Sequence, residues 1–259
     1  MASPSYAKTP LNKLGRLPNR GAYDYATVHS ILNASPMLHV SFTDPQHPFP
    51  VVLPMIGCTG NFADPDADPA TSEQHVYLHG YVSGRLFRAG KDGGEEGLPM
   101  TIAASLLDGL VLSLTPFHNS CNYRSAIAYG HASPVTLEPE RLYALTLITN
   151  NLLPSRWESS RAPPTSAELQ STSVLRVKIA SASAKVRTGG PSEDRKDLKD
   201  GALRARVWTG VVPVWHMWGV PVPGRLNGVR EVEPYIEGWR VGENEKGRER
   251  AYEAVGEGK

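Results

Sequence analysis

Between Pro36 and Met217 the chain is cut into short runs of β-branched and aromatic residues by clusters of Pro, Gly, Asp and Asn. Residues of the first kind favour pleated strands, and those of the second punctuate them. Such spacing favours antiparallel strands joined by turns over an alternating βαβ chain. The absence of a G-x-G-x-x-G stretch argues in the same direction and against a dinucleotide site of Rossmann type. The expected fold class is therefore mainly β with flanking helices (α+β).

Individual segments carry their own signals. Apolar positions from Tyr23 to Asn33 fall close to one helical face. Pro36 to Phe42 and Phe49 to Ile56 read as a hairpin around a Pro-containing turn, and His75 to His79 as a strand. Ser83 to Ala89 reads as a helix stopped by Gly93-Gly94. Asp108-Gly109, between Met100–Leu107 and Leu110–Leu114, predicts a type I′ hairpin, because both residues tolerate positive φ. Tyr123 to Val135 reads as a long strand and Pro139 to Leu153 as a helix. A second helix is expected at Thr165 to Ser171, with Thr165 and Glu168 spaced as a capping box. Val174 to Ile179 and Val207 to Met217 are the last β-runs, with a polar loop from Gly189 to Arg206 between them. The Glu-, Lys-, Arg- and Gly-rich end from Gly242 is expected to be loosely ordered.

A net charge of +1 leaves no field for nucleic acid or an anionic membrane. Two cysteines, Cys58 and Cys121, suit free thiols in a reducing compartment. The N-terminus lacks the apolar run of a secretory signal, so a cytoplasmic location is expected, with an organelle transit segment as the alternative. No metal site is expected: Asp64 to Pro69 lacks the Gly and Glu of a calcium loop, and there is no H-E-x-x-H.

Three polar constellations stand out. In Tyr77 to Arg85, a strand passes to a helix start bearing Ser83 and Arg85. A hydroxyl, a forked guanidinium and helix-start amides suit a phosphate monoester, although on spacing alone Ser83 reads as an N-cap and Arg85 as a surface residue. Phe117 to Ser125, with His118, Asn122, Tyr123, Arg124 and Ser125, offers groups for an aromatic heterocycle, or is a turn rich in Asn. Lys185 and Arg187 alternate on one strand and point the same way, either toward a ligand or as a charged edge strand.

These stretches, together with Asn19 to Asp24, Leu107 to Leu112, Ser183 to Gly189 and Val207 to Pro213, resemble the flavin-nucleotide-binding branch of the pyridoxamine 5′-phosphate oxidase-like superfamily, to which nitroimidazole-resistance proteins are related. The resemblance implies a six-stranded antiparallel split β-barrel over residues 20–223, with a lead at 1–19 and a tail at 224–259. It also implies a homodimer holding FMN at its interface. Ser83 and Arg85 would then grip the flavin phosphate, Val52, Leu53, Pro54 and Met55 would pass the isoalloxazine edge, and Trp208 with Gly210 would reach the cofactor from the partner. His79 matches a histidine in the site of the resistance proteins and is the candidate catalytic residue. An FMN-dependent oxidoreductase acting on a small molecule is the leading expectation. The alternatives are a flavin-storage module without turnover and a haem protein ligated by His79 or His118.

Overall fold

The computed structural model describes residues 3–256. In chain order the elements are β1 (Gly21–Ala22), α1 (Tyr25–Ala34), β2 (Leu38–Phe42), β3 (Val51–Met55), β4 (Gly57–Gly60), β5 (His75–Tyr81) and α2 (Arg85–Lys91). They continue as β6 (Leu98–Leu112), β7 (Ser120–Pro134), α3 (Glu138–Leu152), α4 (Ser166–Ser171), β8 (Thr172–Arg187), α5 (Arg195–Lys199), α6 (Gly201–Arg206), β9 (Gly210–Pro213) and α7 (Pro234–Glu253). The sheet order is β3-β2-β6-β7-β8-β5-β4, with β1 on β8 and β9 on β6. Among the described residues the sheet has nine strands where the resemblance implies six; β1 and β4 are too brief to announce themselves as apolar runs, while β9 is the part of the expected Val207–Met217 run that pairs.

The chain divides into two compact units, the first made of residues 1–105 and 125–185, the second of 106–124 and 186–259. In the first, Asp24 caps α1 by accepting from the Thr27 amide at 2.8 Å, and the helix buries Val28, His29, Ile31 and Leu32. Helix α3 lies on β4 and β5, enclosing Cys58, Tyr77, Val135, Ala144, Ile148 and Val174. Buried beneath it, the Glu140 carboxylate accepts from the Tyr77 hydroxyl and from Arg176, both at 2.9 Å. The capping box at Thr165 and Glu168 forms as the spacing predicts.

Residues 3–19, the lead, pack onto the first unit. Tyr6 hydrogen-bonds His29 Nε2 at 2.6 Å, while His29 Nδ1 lies 2.6 Å from the Pro69 carbonyl and must donate to it. Nε2 therefore accepts from the tyrosine. Asn12, also buried, donates to the carbonyls of Ala7 and Ala182.

In the second unit, the expected hairpin at Asp108-Gly109 is absent, and β6 runs straight through it. Asp108 forms a two-pronged ion pair with Arg124 at 2.9 and 2.7 Å, and its carbonyl accepts from Val214. Gly109 pairs with Pro213, and a Cβ there would come within 2.9 Å of the Val211 side chain. The glycine serves the close approach of β9 rather than a turn. The polar loop after β8 holds the short α5 and α6, and the final β-run shrinks to Gly210–Pro213.

The expectation of a loosely ordered end from Gly242 is corrected as far as Gly256, and its last residues, 257–259, lie outside the described residues. Helix α7 occupies Pro234–Glu253, and rings from the segment after β9 cover it, Trp218 lying 4.9 Å from Trp239 and Trp215 6.3 Å from Tyr252. Asn244 brackets the Trp218 backbone, accepting from its amide at 2.7 Å and donating to its carbonyl at 3.0 Å. Among the described residues no helix is long and apolar enough to cross a membrane. Both cysteines are free, and burial raises the Cys58 thiol to about 12.

Candidate functional site

The turn between β5 and α2 is shaped by close packing. A Cβ at Gly80 would meet the Phe87 ring at 2.4 Å, so only glycine lets α2 fold back onto the strand. The Gly84 amide donates to the Tyr81 carbonyl at 2.8 Å, and Gly84, not Ser83, is the N-cap residue, with no side-chain cap. Ser83 and Arg85 are exposed. Arg88 donates to the Ser83 carbonyl. Arg85 Nη1 sits 3.6 Å from Asp44 Oδ2, beyond hydrogen-bond range, so its fork has capacity for another acceptor. Arg85 and Arg88 line an open cleft of about 540 Å³ together with Asp44, Gln46 and Asp92.

The other predicted residues of this unit lie on neighbouring strands. Val52, Leu53, Pro54 and Met55 belong to β3 at the edge of the sheet, with Val52 and Pro54 exposed. An edge tolerates Pro54, which has no amide to donate. His79 is half-buried on β5, opposite Val174, and its Nδ1 is buried with no hydrogen-bond partner. Burial lowers its pKa below the ordinary histidine value. His75, on the same face two pleats away, has an orphaned Nδ1 as well. Ser125 donates to the Lys185 carbonyl at 3.2 Å, and Lys185 Nζ donates to the Arg16 carbonyl at 3.2 Å.

The second unit holds the rest. Asn122 is fully buried, donating to the carbonyls of Gly189 (3.1 Å) and Ala254 (2.9 Å) and accepting from Arg187. Arg187, also buried, donates to the Gly190 carbonyl at 3.1 Å. The charged pair Lys185 and Arg187 does not protect an edge, since β8 lies inside the sheet. Arg124 is occupied by Asp108. Tyr123 is half-buried on β7. Trp208 is 66% exposed, its indole folded against the backbone of Gly210.

His118 ends a short 3-10 turn that begins at Pro116, and its backbone is held by Ser113, whose hydroxyl donates to the His118 carbonyl at 2.9 Å. Glu193, which the sequence reading placed in an undifferentiated polar loop, faces it. Glu193 Oε1 accepts from the Leu114 amide at 2.8 Å, and Oε2 lies 3.9 Å from His118 Nδ1. A buried carboxylate needs a donor, and no spacing rule links positions 75 residues apart. Among the described residues no cluster of three or more His, Cys, Asp and Glu side chains is arranged to hold a metal ion.

The sequence profile of the family described as pyridoxamine 5′-phosphate oxidase matches residues 24–186. Among solved structures, the flavocytochrome Anf3 from Azotobacter vinelandii is similar at 30% identity and a TM-score of 0.72, covering 88% of this chain and 96% of that one. The FAD and heme binding protein from Mycobacterium smegmatis has the same fold at 23% identity and a TM-score of 0.69, covering 85% of this chain and 96% of that one. No curated protein matches the sequence. With its antiparallel sheet and flanking helices in the split-barrel class, the chain belongs to the pyridoxamine 5′-phosphate oxidase family.

Proposed function

We propose that this chain is a flavin-nucleotide-binding oxidoreductase that holds FMN as a homodimer in the cytoplasm and acts on a small molecule. The observation that carries the reading is the cleft between α2 and the β2–β3 loop, where Arg85 presents a guanidinium with unused donors at the wall of an open space. Ser83 stands exposed beside it. A terminal phosphate fits this donor set, because a fork that is only loosely paired to Asp44 gains charge-assisted bonds when a dianion arrives. Arg88 is already engaged by the Ser83 carbonyl, so a single free fork suits one terminal phosphate better than a pyrophosphate. Similarity at 30% identity to a flavocytochrome supports a flavin as the group that phosphate belongs to.

When bound, the flavin supplies hydride chemistry, and the protein supplies binding, orientation and electrostatics. Arg85 and Ser83 anchor the phosphate, and the β3 edge from Val52 to Met55 presents backbone and apolar side chains to a flat ring system. His79 is a half-buried neutral imidazole with an unused ring nitrogen, able to donate to or accept from a ligand. The exposed apolar side chains of Met217, Val220, Val222 and Leu226 support a partner subunit, since a run of this kind is unusual on a monomer surface.

A second reading adds haem. It is favoured by the orphaned Nδ1 atoms of His75 and His79 and by the two similar structures, one a flavocytochrome and the other an FAD and heme binding protein. The absorption spectrum of the purified protein separates the readings: two broad flavin bands, with FMN mass released by acid, support the first, and an added Soret band supports the second. Arg85→Ala is expected to weaken FMN binding by about 1.5–3 kcal/mol, the worth of a hydrogen bond to a charged group. An unchanged Kd removes Arg85 from the site, and a colourless protein that takes up no FMN overturns the reading.

A further inference from the structure

A second cleft of the first unit, of about 560 Å³, is lined by charges that do not neutralise one another. Its floor is sheet. His75 on β5 lies opposite Lys178 on β8, and Tyr77 opposite Arg176, so His75, Lys178 and Arg176 stand on one face. Its rim is the loop that carries Glu95 and Glu96 from α2 to β6. That loop is seated closely on β7. Gly97 has a φ of +82°, and a Cβ there would come within 2.7 Å of the Ala132 carbonyl and 3.0 Å of the Ser133 hydroxyl. The acidic wall is thus anchored beside the cleft rather than carried on a free arm.

Opposite charges that share a cleft attract, yet Glu95, Glu96 and Lys178 make no hydrogen bond or ion pair with any described residue. Arg176 gives Nη1 to Glu140 at 2.9 Å, and the rest of its fork is open. Burial, and after it the charge of Arg176, lowers the His75 pKa, so that imidazole stays neutral at neutral pH. Among the lysine, arginine and glutamate side chains, Arg176 and Lys178 bring two positive charges. Glu95, Glu96 and the Glu140 bound to Arg176 bring three negative ones, which leaves one negative charge in excess. A simple anion would meet both cations but also two unpaired carboxylates, and a simple amine would meet the reverse. A molecule with one carboxylate and two cationic groups satisfies both walls and cancels the excess.

We propose that this cleft binds a basic amino acid, its α-carboxylate taken by Lys178 and the open side of the Arg176 fork, its two cationic groups facing Glu95 and Glu96. The volume falls within the range of about 300–1,000 Å³ usual for small-molecule pockets. None of the residues assigned to FMN lines this cleft, so the site stands apart from the flavin reading.

Isothermal titration calorimetry of the full chain with L-lysine is the test. L-norleucine, which lacks the side-chain ammonium, and cadaverine, which lacks the carboxylate, are each expected to bind about tenfold more weakly than L-lysine. Lys178→Met, and Glu95→Gln combined with Glu96→Gln, are each expected to weaken L-lysine by about tenfold. That figure lies between the worth of an exposed ion pair and that of a charge-assisted hydrogen bond. All three side chains are exposed, so the variants keep the fold of the parent. In ¹⁵N spectra, the amide shifts caused by L-lysine should concentrate at residues 94–97 and 176–180. Neither heat nor amide shifts with L-lysine at millimolar concentration overturns the proposal. Binding that neither variant weakens places L-lysine elsewhere on the protein and overturns it too. L-norleucine binding as tightly as L-lysine overturns the role of the acidic loop, and inorganic phosphate binding where L-lysine does not makes the cleft an anion site instead.

Discussion

Replacing Asn122 with alanine separates a structural role from a ligand-binding one. The side chain is fully buried and makes three hydrogen bonds, to the carbonyls of Gly189 and Ala254 and from the Arg187 guanidinium. Each neutral bond contributes about 1 kcal/mol and the charge-assisted one about 1.5–3. The full loss is not incurred. The Ala254 carbonyl keeps the Gly189 amide at 2.8 Å, and Arg187 keeps the Gly190 carbonyl at 3.1 Å. Asn122→Ala is therefore expected to release the end of α7 at a cost of about 2–4 kcal/mol, a roughly 30- to 1,000-fold drop in protection of the Gly189 and Ala254 amides. Hydrogen exchange read by mass spectrometry on peptides covering 186–192 and 250–256 measures it. Asn122→Asp, which keeps an acceptor for Arg187 but loses both amide donors, should fall between the two. Unchanged protection in Asn122→Ala, with FMN binding lost, would refute this reasoning and return Asn122 to the cofactor.

Acid should weaken the fold in a defined window. Burial lowers the imidazoles of His29, His75 and His79, so each stays neutral in the folded protein at a pH where the unfolded chain takes up a proton. Stability is then complete above about pH 6.5 and falls as the pH drops below it, until the folded histidines themselves protonate. The slope is at most ~1.4 kcal/mol per pH unit for the buried His29, and less for the half-buried pair, which water screens. Urea midpoints that do not move between pH 7.5 and 5.5 would contradict this. Gly80→Ala should destabilise by about 1–3 kcal/mol through its contact with Phe87, and a melting temperature within a degree of the parent would show that α2 moves aside freely.

Local chemistry made much of this fold legible. The capping box at Thr165 and Glu168, the Asp24-capped α1 and the β2–β3 hairpin follow from side chains acting on their own backbone, and they lie where the spacing places them. Asp108-Gly109 misled because a turn signal is only permissive. Pairing with Arg124 and contact with β9 take up both residues in a strand, and neither partner is near in sequence. Helix α7 was hidden for the same reason, since its ordering comes from Trp215 and Trp218 outside it. At the site, the β5–α2 turn was readable as a unit, but the partners of its residues were not. Asp44 beside Arg85, Arg16 beyond Lys185 and Glu193 facing His118 meet only after the strands have paired.

The contacts of Tyr6, Asn12 and Arg16 bear on where this protein can be cut. The stretch shared with its family starts at residue 24, yet His29 takes its hydroxyl partner from Tyr6, Ala182 takes an amide donor from Asn12, and Lys185 ends on the Arg16 carbonyl. A fragment trimmed to the shared stretch would open three holes in the wall it was meant to preserve, so the boundary of kinship and the boundary of the folding unit differ by nearly the whole leading segment.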